Sequence, residues 1–244
     1  MRRDGPDAFF AQQNADGSLI ARKNHWLDTA PELCLAASEH TEKLVGEVWS
    51  LAKTWGQIPN GLSCSVENLG RNWEADFILL NAADFTVAGG CACFPSSWNL
   101  QESTGKTLAE VHGIVPDLTP QLGPKIERFL KRIPEGQAFL RENWGLTRTA
   151  HLNYHPALKR ECLDESVSSS EVYLRIEHQS FVRLPSGVLL GVRIEPVALT
   201  ELIEKFPETA RRLRNQLATM PDAVAIYKSL DAAIPRIVEL LADV

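Results

Sequence analysis

The 244-residue chain is short of several things, and each shortage excludes a class of protein. Its longest apolar stretches fall well below the roughly 20 residues that a membrane-crossing helix needs. Its five cysteines (Cys34, Cys64, Cys91, Cys93 and Cys162) are odd in number and contain no C-x-x-C spacing. That pattern counts against a disulfide framework, a zinc knuckle or a four-cysteine iron–sulfur cluster. Basic residues form no run, and Lys+Arg 25 against Asp+Glu 31 leaves a net charge of −6, so nucleic acid is not an expected partner. No G-x-G-x-x-G dinucleotide fingerprint occurs. The opening MRRDGPDAFFAQQNADGS does not read as a signal peptide, and the expectation is a cytoplasmic protein with no membrane partner. What remains is an ordinary globular composition, 44% hydrophobic and 23% charged, long enough to bury a sizeable core.

Apolar residues recur at helical spacing from Ser38 to Trp55, with Ser38 as the expected N-cap and Pro59-Asn60-Gly61 just beyond the stop. Two strand-like runs follow, Ala75 to Leu80 and Phe85 to Phe94, joined by a turn at 81–84. The middle reads as helical. A short segment carries Leu108, Val111 and His112, a helix runs from Pro124 to Ile133 with the proline in its first turn, and a further short helix covers Gly136 to Trp144. Three strands come next: Arg148 to Tyr154, Val172 to Leu184 and Val188 to Ile194, the last two linked through Pro185-Ser186-Gly187. Helical spacing returns from Leu199 to the end. Two strands, a helical insert and three strands is the chain order of a PAS domain. The expectation is a single α+β, PAS-like domain over residues 1–244. It has a five-stranded antiparallel sheet, a helical insert and helical extensions over about 1–60 and 199–244.

Several stretches, in order, resemble the haem-dependent oxidative N-demethylase family. They are Glu74-Ala75-Asp76-Phe77-Ile78-Leu79-Leu80, Phe94-Pro95-Ser96-Ser97-Trp98, Val111-His112-Gly113-Ile114-Val115-Pro116 and Arg141-Glu142-Asn143-Trp144. Leu174 to Gln179, Arg183 to Gly187 and Tyr227-Lys228-Ser229-Leu230 continue the series. The chain departs from the family at Ser103, where a basic residue is usual, and at His178, where arginine is usual. The resemblance implies a haem b cofactor in a PAS-type cleft and oxidative removal of a methyl group from a small secondary amine by O2. It also implies electrons from a separate flavin/2Fe–2S reductase. A haem-binding PAS sensor of gas or redox state, with no turnover, is the rival reading.

His112 is the candidate iron ligand, because a neutral imidazole suits haem iron and the resemblance places the ligand on the insert. Its neighbours Leu108, Val111, Ile114 and Val115 are apolar; a helix-end histidine can equally cap carbonyls. Arg175, Glu177 and Gln179 alternate on one strand face, which is either solvated or the polar side of a pocket. In a pocket, Glu177 would hold a protonated amine as a catalytic residue, and Arg175 would contact the cofactor. His178 points the other way and is a second candidate for cofactor contact. Arg193, on the next strand, is a candidate for steadying bound oxygen or a propionate. His151 and His155 read as unremarkable, and Cys91 and Cys93 as small buried apolar residues.

Overall fold

The computed structural model describes residues 2–114, 116 and 118–242. Among them the strands form one antiparallel sheet of seven, not five: β1 (Arg2–Asp4), β2 (Leu35–Ala37), β3 (Asp76–Asn81), β4 (Val87–Cys91), β5 (Ala138–Thr147), β6 (Tyr173–Arg183) and β7 (Gly187–Ala198), in the spatial order β1-β5-β6-β7-β3-β4-β2. The two extra strands are three-residue edges contributed by the N-terminal extension. The central five keep the expected two-plus-three division around the insert.

Four local readings need correction. Gly136 to Trp144 is not helical, because most of it lies in β5, and β5 ends at Thr147, so Arg148 to Tyr154 is a loop with one bridge from Tyr154 to Ser96. The helix expected at Ser38 starts at Thr41. Thr41 Oγ1 accepts from the Ser38 N–H at 2.7 Å and donates to Ala88 O at 2.6 Å, which ties the helix start to β4. The helix expected from Pro124 spans Leu118–Arg132. By contrast, Pro185-Ser186-Gly187 does turn β6 into β7, with Leu184 N–H donating to Gly187 O at 2.9 Å. Pro196 is tolerated in β7 because β3 pairs with that strand only as far as Val192, so no partner there needs the missing N–H.

Alternation divides the sheet residues between two cores. Phe77, Leu79, Val182 and Leu189 face the helices Pro6–Phe10, Ser18–Thr29 and Thr41–Thr54, the last through Leu44, Val45 and Val48. Ile78, Leu80, Phe181 and Val188 face the insert, meeting Leu100, Leu130 and Ile133. The C-terminal helices Leu199–Lys205, Pro207–Ala218 and Ile234–Leu240 bury Leu202, Leu213 and Ile237 with Val172 and Leu174 in a third cluster. Each fully buried leucine or isoleucine there contributes about 1.5–3 kcal/mol. Several close approaches demand glycine, among them these two. At Gly90, φ is +148° and a Cβ would lie 2.1 Å from Phe77 O. At Gly191 of β7, a Cβ would strike the Phe10 ring at 2.5 Å, so the first helix sits directly on that strand.

Arg193 clamps the same helix. Its Nε donates to Phe9 O at 2.8 Å, Nη1 meets Glu74 at 2.6 Å and Nη2 reaches Ala11 O. Burial alone would raise the Glu74 carboxyl, but Arg193 and the N–H groups of Gln13 and Asn14 outweigh it and hold the group below its usual value. A depressed carboxylate contributes stability above its unfolded pKa of about 4.3 and loses it as pH falls through the folded value. Glu74→Gln therefore lowers the urea midpoint at pH 7, and the gap from wild type narrows as pH drops below about 4. A gap that stays constant from pH 7 to pH 3 contradicts the assignment.

Candidate functional site

The face roofed by the insert carries an apolar surface that the fold leaves half open. Trp98, Leu108, Val111, Phe129, Phe139, Leu190 and Val192 pack against its buried cluster yet are themselves only partly buried. Phe129 meets Phe139 edge-on at 5.3 Å. The helix Leu108–Val111 is set by its sequence: Thr107 accepts from Glu110 N–H while the Glu110 carboxylate takes the Thr107 N–H at 2.7 Å, a capping box. Leu108 N–H to Phe85 O, at 3.2 Å, ties this helix to the end of the β3–β4 hairpin.

His112 follows Val111, half-buried, in the single turn His112–Ile114. Its Nδ1 is 2.8 Å from Leu108 O. A carbonyl can only accept, so Nδ1 carries the hydrogen, and in the neutral ring the lone pair lies on Nε2. This helix-end contact is also how a metal-binding imidazole is oriented. Of the apolar neighbours named for it, Val115 and the Ile114 side chain lie outside the described residues.

Next to this apolar surface is a polar patch built by strand register. Asn143 of β5 stands opposite Glu177 of β6, and Arg141 opposite Gln179, all on the face that Phe139 and Phe181 share. Glu177 Oε2 accepts from Asn143 Nδ2 at 3.2 Å and Gln179 Nε2 at 2.9 Å. The carboxylate is half-buried and held by neutral donors. Tyr227 and Lys228 come within reach of its charge from the C-terminal region. Burial pushes the Lys228 ammonium down, against the pull of Glu177, and pushes the Tyr227 phenol up. Lys228 Nζ donates to Trp144 O at 3.0 Å and lies 5.4 Å over the Trp144 ring. The Tyr227–Leu230 motif was the sequence signal for this neighbour, but nothing in its spacing said what it would face.

The other residues singled out from the sequence are not gathered here. His178 and Arg193 are cross-strand partners on the opposite face of the sheet, so a single pocket cannot combine them with Glu177. His178 lies between Glu195 (2.9 Å) and Glu142 (3.4 Å), while Arg193 serves the first helix as described. Arg175 is 2% exposed, and its guanidinium bonds to Ser96 Oγ and to the carbonyls of Phe94, Pro95, His151 and Leu152. It is not on the solvent face, and these oxygens engage all three of its nitrogens. Burial pushes it down to about 10, which leaves it a cation at neutral pH. His151 and His155 sit in the loop after β5 with their pKa values lowered chiefly by burial, and share no helix face. Cys91 and Cys93 are buried with sulfurs 3.8 Å apart. The Cys91 thiol is raised by its contact with Cys93 and by burial; the Cys93 thiol is raised by Cys34 and by burial. Among the described residues no group of three or more His, Cys, Asp or Glu could hold a metal ion. None of the described helices is long and apolar enough to cross a membrane.

The fold and this face define an α+β domain whose antiparallel sheet and insert leave an apolar surface beside a hydrogen-bonded carboxylate. The family model described as haem-dependent oxidative N-demethylase, alpha subunit-like, matches residues 41–238, and the chain belongs to that family. No curated protein matches the chain.

Proposed function

We propose that this chain is the haem b-binding subunit of an oxidative N-demethylase, acting on a small secondary amine within a PAS-like domain. The central strands, in the order β5-β6-β7-β3-β4 around a helical insert, support the PAS reading. One observation carries the site. An imidazole oriented by Leu108 O follows directly on Val111, which packs on the half-open apolar face that also bears Glu177. The donor chemistry fits a haem: a neutral nitrogen for iron from His112, and flat apolar cover from Leu108, Val111, Phe139, Leu190 and Val192. When bound, the haem supplies the O2-dependent oxidising power, with electrons from a separate flavin/2Fe–2S reductase. A partner of that kind agrees with the family's description as an alpha subunit.

The protein's own part is to bind and orient the amine. Glu177 accepts an N–H from the substrate ammonium in a charge-assisted hydrogen bond, and the same carboxylate can take that proton as the amine is oxidised. Asn143 and Gln179 hold the carboxylate by one oxygen, which limits its rotation. Lys228, whose Nζ donates to Trp144 O, brings positive charge near Glu177.

Reconstituted with hemin, O2 and a flavin/2Fe–2S reductase, the chain is expected to release formaldehyde from a methylated secondary amine. A sensor would give a haem spectrum and no formaldehyde. Loss of a hydrogen bond to a charged group costs about 1.5–3 kcal/mol, so Glu177→Gln raises KM for the amine by about 10–100-fold while the Soret band stays in place. An unchanged KM removes Glu177 from the site.

A further inference from the structure

On the sheet face away from the insert, the helix Pro6–Phe10, the segment after the helix Thr41–Thr54 and the helix Val66–Asn72 border a solvent-open cavity of about 520 Å³. That is the size of a small-ligand site. Its aromatic wall is Phe10 and Trp55, stacked with centroids 5.9 Å apart and planes 14° from parallel. Phe10 rests on Gly191 of β7, so the wall is anchored to the sheet.

The side-chain amides of this cavity are tied to the backbone. Gln12 Nε2 donates to Asn14 O, Gln57 Nε2 to Asp7 O and Asn72 Nδ2 to Asn68 O. Because each of those carbonyls can only accept, the opposite end of each amide is an oxygen. Gln57 Oε1 is buried and has no hydrogen-bond partner. The backbone N–H groups of Ala11, Gly56 and Gln57 are spent on the carbonyls of Asp7, Lys53 and Ala52. Among the described lining residues Asp7 is the only ionisable one. The cavity therefore offers one negative charge and an aromatic face, with side-chain amides around them.

We propose that this cavity is a second ligand site, for a small organic ammonium with an apolar body. Such a ligand supplies a charge to meet Asp7 and a cation or ring to lie against Trp55. The site is independent of the haem and of Glu177. It lies across the sheet from them, and Asp7, Phe10 and Gln12 precede the family-matched segment 41–238.

The test is calorimetric titration of the full chain with benzylammonium, in a Glu177→Gln background so that the other candidate amine contact is weakened. Saturable binding is expected. Benzyl alcohol and benzoate, of similar size, should bind at least about tenfold more weakly, and Asp7→Asn should weaken the ammonium by about tenfold. Asp7→Lys, at an exposed position with little risk to folding, should abolish binding. No saturable binding, equal affinity for benzyl alcohol, or indifference to both Asp7 substitutions overturns the proposal. Haem loading and formaldehyde release report separately on the other site.

Discussion

His112→Ala abolishes the imidazole-ligated Soret spectrum of the hemin-reconstituted protein. The predicted loss of haem affinity exceeds the roughly 10–100-fold that losing even an outer-shell partner of a metal ligand costs. The fold should survive, for a local reason. Leu108 O also accepts the His112 backbone N–H, so removing the ring leaves that carbonyl satisfied. The side chain is only half-buried, so its deletion leaves no sealed cavity. Added imidazole should restore part of the spectrum by occupying the vacated ligand position, whereas a merely structural histidine gives no such rescue. A His112→Ala protein with wild-type ligation would move the iron ligand elsewhere and remove the central support of the proposed function. The control is Leu108→Ala, which keeps the carbonyl and trims the apolar surface. It should lower haem affinity without changing the ligation spectrum.

The parts of this molecule that were legible in the sequence are those encoded locally. The helix Thr41–Thr54 shows its apolar stripe, and the β6–β7 hairpin shows its turn at Pro185-Ser186-Gly187. β5 was missed because its period-two signal is hidden by polar residues on both faces. Arg141 and Asn143 join Gln179 and Glu177 on one side, while Glu142 meets His178 on the other. β1 and β2, three residues each, are too short to show any period and exist because longer strands offer them an edge. The site divides in the same way. Alternation placed His178 opposite to Glu177, but which face the insert would cover depends on long-range packing. The parity of Arg193 needs the β6–β7 register, Arg183 against Val188, before it can be read at all. Arg175 shares its parity with Glu177 and still performs a different task, because the loops of 94–96 and 151–152 close over the sheet just at its position.

Arg175→Met is the substitution expected to cost the most stability. The guanidinium makes five bonds, all to neutral oxygens: Ser96 Oγ at 2.7 Å, Phe94 O at 2.8 Å, Pro95 O at 3.3 Å, His151 O at 3.1 Å and Leu152 O at 2.7 Å. It also lies 5.2 Å from the centre of the Tyr154 ring. Two effects oppose each other when it is removed. The cost of keeping a desolvated cation, several kcal/mol, is relieved, yet the acceptors that lose their donor cost about 1–3 kcal/mol each where water cannot replace it. Pro95 O keeps the Tyr154 N–H, so four acceptors are left without a donor; the second effect is still the larger, and the net loss should be about 3–5 kcal/mol by urea denaturation at pH 7. Arg175→Lys should recover little of it, since a single ammonium cannot span acceptors from two loops as the planar fork does. The loss should be visible locally as faster amide exchange at Ser97 and Tyr154, whose N–H groups bond to Tyr154 O and Pro95 O across the same junction. Trp98, which packs on the insert cluster, should loosen with them and weaken haem retention indirectly. If Arg175→Met instead leaves the denaturation midpoint unchanged while shifting the haem spectrum, Arg175 contacts the cofactor and the clamp described here is wrong.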